Sequence, residues 1–293
     1  MANQKLSYIY ALSAVLLWSS VATAFKIALK SLTPVELVLF SSVSALLFLG
    51  GVIIIQRRIV ELFNYFKKHF LLIIILGFIN PFAYYLVLFK AYDLLPAQEA
   101  QAINYTWALM LSYLSVIFLK HRLSRYDVTA GFIAYFGVLV IATKGDITSL
   151  HFSNNLGLFL ALLSTVFWSF YWIFNTKIKA DPIISLFSNF LVGVIFISLY
   201  FVSTQTFHIP TLNGVLSTIY IGLFEMGITF ILWLKALKYS ENTSKTANLI
   251  FLSPILSLVF IHYIVGETIE TSTIIALVLI LSGLSLQKLK SQD

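Results

Sequence analysis

Residues 6 to 25 read LSYIYALSAVLLWSSVATAF, an unbroken run from Leu6 to Phe25 without one charged side chain. A bilayer core asks for about 20 apolar residues per helix, with a working range of roughly 17–25. This stretch is long enough to cross. Lys5 ahead of it and Ala22-Thr23-Ala24 near its end also fit a cleavable leader. The run exceeds the roughly 7–15 apolar residues of a leader core, and its pattern returns later in the chain. It therefore reads as a retained transmembrane helix.

The same ruler finds ten spans, at about 6–28, 34–55, 70–90, 97–119, 126–143, 155–176, 183–203, 214–236, 246–264 and 271–287. Composition agrees: 59% of the 293 residues are hydrophobic and 11% charged, against roughly 25% charged in a soluble domain. So little charge cannot clothe a water-soluble surface of this size, and the lipid bilayer is the expected partner. The fold class is all-α integral membrane. The absence of cysteine excludes disulfides, thiolate metal sites and cysteine nucleophiles. A net charge of +7 sits in short clusters between apolar runs, which is the pattern of membrane faces and not of a nucleic-acid patch.

The clusters set the orientation. Lys5, Arg57, Arg58, Lys67, Lys68, Lys120, Arg122, Arg125, Lys177, Lys179, Lys235, Lys238, Lys245, Lys288 and Lys290 fall on one side. Lys26, Lys30, Lys90 and Lys144 fall on the other. The positive-inside rule then places both termini in the cytoplasm, as an even number of spans requires. A multi-pass protein of the cytoplasmic (inner) membrane is expected.

The chain also repeats itself. Ala11-Leu12 and Trp18-Ser19 return as Ala161-Leu162 and Trp168-Ser169. A shift of 145 positions carries Gly77 onto Gly222, Lys90-Ala91 onto Lys235-Ala236, and Leu111-Ser112 onto Leu256-Ser257. The expected repeats are residues 1–147 and 148–293. Five spans is an odd number, so the second copy enters the membrane inverted. Inverted repeats place a substrate site at the bilayer midplane and work by alternating access.

Ten spans in two five-span copies resemble the drug/metabolite transporter superfamily, specifically its EamA-type members. The residues that carry the likeness are Ala11-Leu12 with Trp18-Ser19, Asn104-Tyr105-Thr106-Trp107, Phe251-Leu252-Ser253-Pro254 and Gly266-Glu267-Thr268. The first copy departs from the family pattern at Ala108, where a proline is usual, and at Lys120-His121, where a Gly-Glu pair is usual. The resemblance implies a transporter and points to export. The Asn-Tyr-Thr-Trp stretch is similar to the aromatic-amino-acid exporter branch.

Polar and aromatic residues inside spans are the candidate site. A charge at a helix centre costs roughly 2.5–3.5 kcal/mol on insertion scales. Glu225, half-way along span eight, is the coupling candidate, for a proton or a substrate ammonium; the alternative is a buried carboxyl that serves packing. Asn80 maps onto Glu225 under the 145 shift and precedes Pro81. In span four Gln101, Asn104 and Tyr105 share a helical face, which Gln98 extends, with Trp107 nearby and Glu99 close to the outer end. Trp18 and Trp168 lie mid-span, away from the interfaces tryptophan prefers, and are related by the repeat. They line a site or fill space. Tyr84, Tyr171, Trp172 and Asn175 are candidates for the same space.

Other residues read as structural. Pro81 and Pro254 should bend spans three and nine, at different depths in the two halves. Lys90 and Lys235 near span ends should snorkel, and Glu36 behind Pro34 suits a helix start. His262 has no partner at metal spacing, and no nucleotide motif occurs, so no cofactor is expected. The expected function is secondary transport of a small polar organic metabolite, an amino acid or related compound, outward, with protons as candidate coupling ion. A lipid or lipid-linked-sugar translocase and a membrane-embedded enzyme are the alternatives.

Overall fold

The helix starts are written locally. Thr33 caps the second span and Glu36 closes the box, its carboxylate accepting the Thr33 N–H at 2.8 Å, with Pro34 at the first helical position. Ser124 and Asp127 make the same reciprocal pair ahead of span five. Asp181 before Pro182, and Thr211, cap spans seven and eight. Each cap satisfies backbone donors that a helix start leaves open.

The computed structural model describes residues 3–120, 124–148, 153–175, 181–206, 210–241, 246 and 249–289. His121, Arg122, Lys177, Lys179, Lys245 and Lys290, used above for motif and orientation, lie outside them, as does the Lys288 side chain. The helices are α1 (Gln4–Leu29), α2 (Pro34–Ile55), α3 (Ile59–Gly77), α4 (Tyr84–Leu94), α5 (Ala97–Asn104), α6 (Trp107–Leu119) and α7 (Arg125–Ala142). The second half supplies α8 (Asn155–Asn175), α9 (Pro182–Thr204), α10 (Leu212–Phe224), α11 (Ile228–Tyr239), α12 (Leu252–Phe260) and α13 (Thr271–Leu289). Eight continuous or bent helices are long and apolar enough to cross a membrane, and the shorter apolar segments Leu249–Val265 and Thr271–Leu286 make up the ten expected.

Among the described residues, four spans are broken. Span three passes through a π-helical turn at Phe78–Ala83, where Asn80 is extended (φ −141°, ψ 117°). Span four breaks at Tyr105 and Thr106, between α5 and α6. Span eight breaks at Glu225–Gly227, between α10 and α11. Span nine carries a 3₁₀ turn at Leu249–Phe251 ahead of α12. The 145 shift carries Asn80 onto Glu225 and Tyr105 onto Ile250, so the breaks are repeat-equivalent. This corrects the expectation drawn from proline. Pro81 does sit in a break, but Pro254 stands in the first turn of α12, after the irregular turn, where its missing N–H costs little. The equivalent breaks in spans four and eight contain no proline, so the halves deviate at matching depths.

Span three also begins earlier than hydropathy indicates. Its helix starts at Ile59, and His69 (φ −123°, ψ 23°) separates a preliminary segment from the membrane-crossing part.

Two compact units divide the chain. One holds residues 1–82 and 180–265, the other 83–179 and 266–293, so each draws on both sequence halves. In the first unit α1 packs on α10, α11 and α12, α2 packs on α9 and α10, and α3 packs on α9. In the second, α8 packs on α4, α5 and α6, while α7 pairs with α13. The first span of each half thus packs against the third and fourth spans of the other. The α7–α13 pair crosses antiparallel through small residues: a Cβ on Gly137 would meet the Ala276 carbonyl at 2.9 Å, and one on Gly283 would meet that of Ala130 at 2.6 Å. Small residues allow this approach where lipid supplies no hydrophobic drive.

Candidate substrate and coupling sites

In the second unit most of the sequence-selected residues converge. Tyr84 on α4 stacks on Trp168 of α8 at 4.6 Å between ring centroids, and Trp168 stacks on Tyr171 at 5.5 Å. Trp172 meets Trp168 edge-on at 6.0 Å and lies parallel to Trp107 at 6.4 Å. Tyr84, Trp168 and Tyr171 are buried, while Trp107 and Trp172 are half-buried. The i, i+3, i+4 spacing of Trp168, Tyr171 and Trp172 places all three on one face of α8. The break in span four lies beside them: the Ser169 hydroxyl donates to the Trp107 carbonyl at 3.1 Å.

The polar stripe of span four divides. Asn104 Nδ2 donates to Ser164 Oγ at 3.0 Å, joining α5 to α8. Gln101 is buried, and among the described residues its Oε1 has no hydrogen-bond partner, nor has the buried Trp172 Nε1. A buried amide oxygen left without a donor costs free energy on the order of 1–3 kcal/mol. Tyr105 sits half-buried at the break itself. Gln98 departs from the stripe. Its Nε2 donates to the Thr268 carbonyl at 2.9 Å, and its Oε1 accepts from Thr273 Oγ1 at 2.7 Å and from the Glu270 N–H at 3.0 Å. Glu99 is buried and accepts from Ser153 Oγ at 2.6 Å. Both hold the first turn of α5 in place.

Glu267 completes that end. Its carboxylate accepts from the Ala97 N–H at 2.8 Å and from the Gln98 N–H at 3.4 Å. Pro96 offers no side-chain cap, so the carboxylate of a remote loop caps α5 and meets the positive end of its dipole. This gives the Gly266-Glu267-Thr268 motif its physical role.

Trp18, Asn80 and Glu225 lie in the first unit. Trp18 packs on Phe230 and Trp233 of α11, at 5.6 and 5.7 Å. Sequence reasoning missed both partners, although their three-residue spacing on span eight was available. Ser20 on α1 pairs with Tyr220 of α10 at 2.5 Å. Asn80 is buried, and its Oδ1 has no hydrogen-bond partner among the described residues. Glu225 is half-buried at the break of span eight, where the Thr229 hydroxyl donates to the freed Phe224 carbonyl. Lys90, expected to snorkel, pairs with Asp93 at 2.6 Å, and Lys235 lies 5.5 Å over the Tyr10 ring.

Inverted five-helix repeats whose crossing helices break at equivalent positions, one break carrying a carboxylate, define a multi-pass membrane transporter. The EamA-like transporter family model matches residues 5–143 and again 155–287, and the chain belongs to that family. An uncharacterized transporter of Clostridium kluyveri is 29% identical over 195 residues, covering 64% of this chain and 62% of that protein, under two thirds of its length. An uncharacterized transporter of Archaeoglobus fulgidus is 22% identical over 298 residues, 99% of this chain and 100% of the relative. A solved crystal structure 19% identical in sequence covers 99% of both chains with a TM-score of 0.68, which shows the fold.

Proposed function

We propose that the protein is a secondary transporter that exports an amino acid or a closely related cationic or zwitterionic metabolite by alternating access. The observation that carries this reading is the set of paired helix breaks, Asn80 with Glu225 and Tyr105 with Ile250. A break at mid-depth frees backbone N–H and C=O groups whose partial charges face a substrate, and inverted repeats use such breaks as binding elements. Residues 1–147 and 148–293 serve as the two repeats, and both termini face the cytoplasm of an inner membrane.

Within this reading Tyr84, Trp107, Trp168, Tyr171 and Trp172 form the substrate shelf, since an ammonium over aromatic faces is attracted by the ring quadrupoles. Gln101, Asn104 and Tyr105 supply polar contacts, with Gln101 Oε1 as acceptor for a substrate N–H. Trp18 and Asn80 are the candidate substrate contacts within the first unit. Glu225 is the coupling residue, for a proton or a substrate ammonium, because a carboxylate inside a membrane span is costly and marks function by default.

Comparing metabolites retained by cells with and without the protein, followed by flux into proteoliposomes of the compound that changes, tests the reading. Export driven by a proton gradient is the expected result. A changed lipid-linked sugar pool would favour the translocase, and a chemically altered metabolite would favour an enzyme.

A further inference from the structure

The segment ahead of the His69 bend is unused by any transport role. Residues 59–68 form a helix that ends where His69 leaves helical geometry, just before the membrane-crossing part of α3 begins. At 100° per residue its side chains divide into three arcs. Leu62, Tyr65 and His69 point one way; Tyr65 is buried and its hydroxyl hydrogen-bonds Ser185 Oγ of α9 at 3.1 Å. Arg58, just before the helix, fixes the same face through Asp181 at 3.1 Å and also binds Glu61 at 2.8 Å. Glu61, Asn64 and Lys68 form a polar arc exposed to solvent.

The third arc is apolar and uncovered. Ile59 is 50% exposed, Val60 73% and Phe63 65%. Lys67 is exposed and lies on this arc at i+4 from Phe63, a spacing from which a lysine stem can cover apolar surface while its ammonium rises to the headgroups. Arg57 and Lys68 are exposed on either side, and neither makes an ion pair among the described residues. A helix with one face held by protein, one apolar face and one basic polar face suits the plane of a membrane interface.

We propose that residues 59–68 lie in the bilayer interface as an amphipathic helix that inserts Ile59, Val60 and Phe63 among the acyl chains and binds anionic phospholipid headgroups through Arg57, Lys67 and Lys68. The occupant is anionic lipid rather than any lipid, because three cations flank the exposed apolar arc while Glu61 is consumed by Arg58. Each lysine or arginine near an anionic surface contributes about fivefold in relative affinity.

The chain has no cysteine, so a single cysteine can carry a fluorophore in the full-length protein. Labels at Phe63 and at Asn64, in nanodiscs of mixed phosphatidylcholine and phosphatidylglycerol, are quenched by brominated lipid or by aqueous iodide. The label at 63 should respond to lipid and the label at 64 to iodide. Brominated phosphatidylglycerol should quench position 63 more than brominated phosphatidylcholine, with the preference falling about fivefold in each of Lys67→Gln and Lys68→Gln. Iodide quenching at 63 equal to that at 64 would overturn insertion. Equal quenching by the two lipids, unchanged in the lysine variants, would overturn anionic recognition. A label at 63 silent to both quenchers would assign the face to a protein partner and overturn both.

Discussion

Gly77 and Gly222 make the same backbone approach on opposite copies of the repeat. A Cβ on Gly77 would meet the Asn189 carbonyl, Val192 Cβ and Gly193 N at 2.7, 3.0 and 3.1 Å. One on Gly222 would meet the Ser41 carbonyl, Ser44 Cβ and Ala45 N at 2.5, 2.6 and 2.9 Å. The partners sit at i, i+3 and i+4 in both cases, separated by a constant 148 positions. Span three therefore crosses span seven as span eight crosses span two.

Equivalent geometry predicts equivalent penalties. Gly77→Ala and Gly222→Ala should each lower stability by roughly 1–3 kcal/mol, because the added methyl meets a carbonyl oxygen that cannot yield without moving a helix. Thermal unfolding in one detergent checks both. A neutral Gly222→Ala would show that these helices separate freely.

Removing the remote cap should loosen the start of α5. Glu267→Ala should cost about 1 kcal/mol, and Glu267→Gln less, because the amide oxygen still accepts but lacks the charge that suits the helix dipole. Hydrogen exchange at the Ala97 and Gln98 amides gives the local readout. Equal protection in wild type and Glu267→Ala would reject the capping role.

Asn104 and Tyr105 should be reachable by a small polar thiol reagent once replaced singly by cysteine, and a transported compound should protect them. Inertness in every condition would return both residues to packing between α5 and α8. Trp168→Phe should keep the stacking on Tyr84 and much of the stability, whereas Trp168→Ala should cost about 3–5 kcal/mol. A selective loss of substrate affinity in the phenylalanine variant would mark the indole as a contact.

Glu225→Gln should preserve the fold, since the amide is isosteric and has no charge to desolvate. Transport should fall sharply or lose its dependence on pH. Flux measured over a pH series, beside Glu225→Ala and with expression and melting temperature as controls, separates the two roles. Wild-type flux and pH response in Glu225→Gln would end the coupling assignment.

Orientation is checked by an impermeant thiol label on intact cells. A cysteine at Gln205, after α9, should react, and one at Gln56, after α2, should not. The reverse pattern would invert the whole topology.

Some of this protein is one-dimensional. In lipid every backbone donor must be satisfied within its own segment, so apolar length alone locates the spans, and the ends observed for α1, α2 and α9 lie within a few residues of those read from hydropathy. Thr33, Ser124 and Asp181 mark helix starts because capping reaches only a few residues along the chain. The repeat was legible for the same reason, through Trp18 with Trp168 and Gly77 with Gly222. The tertiary structure alone decided the rest. Spans four and eight break at Tyr105–Thr106 and Glu225–Gly227 without proline; Gly227 weakens its helix locally, but no local rule marks Tyr105–Thr106. Gln98 looked like a site residue until Thr268, Glu270 and Thr273 supplied its partners from 170 or more positions away. Helices that are apolar all round carry little signal of which face meets which neighbour. Partner choice then rests on close packing at small residues and on a few polar pairs, and both exist only once the helices are side by side.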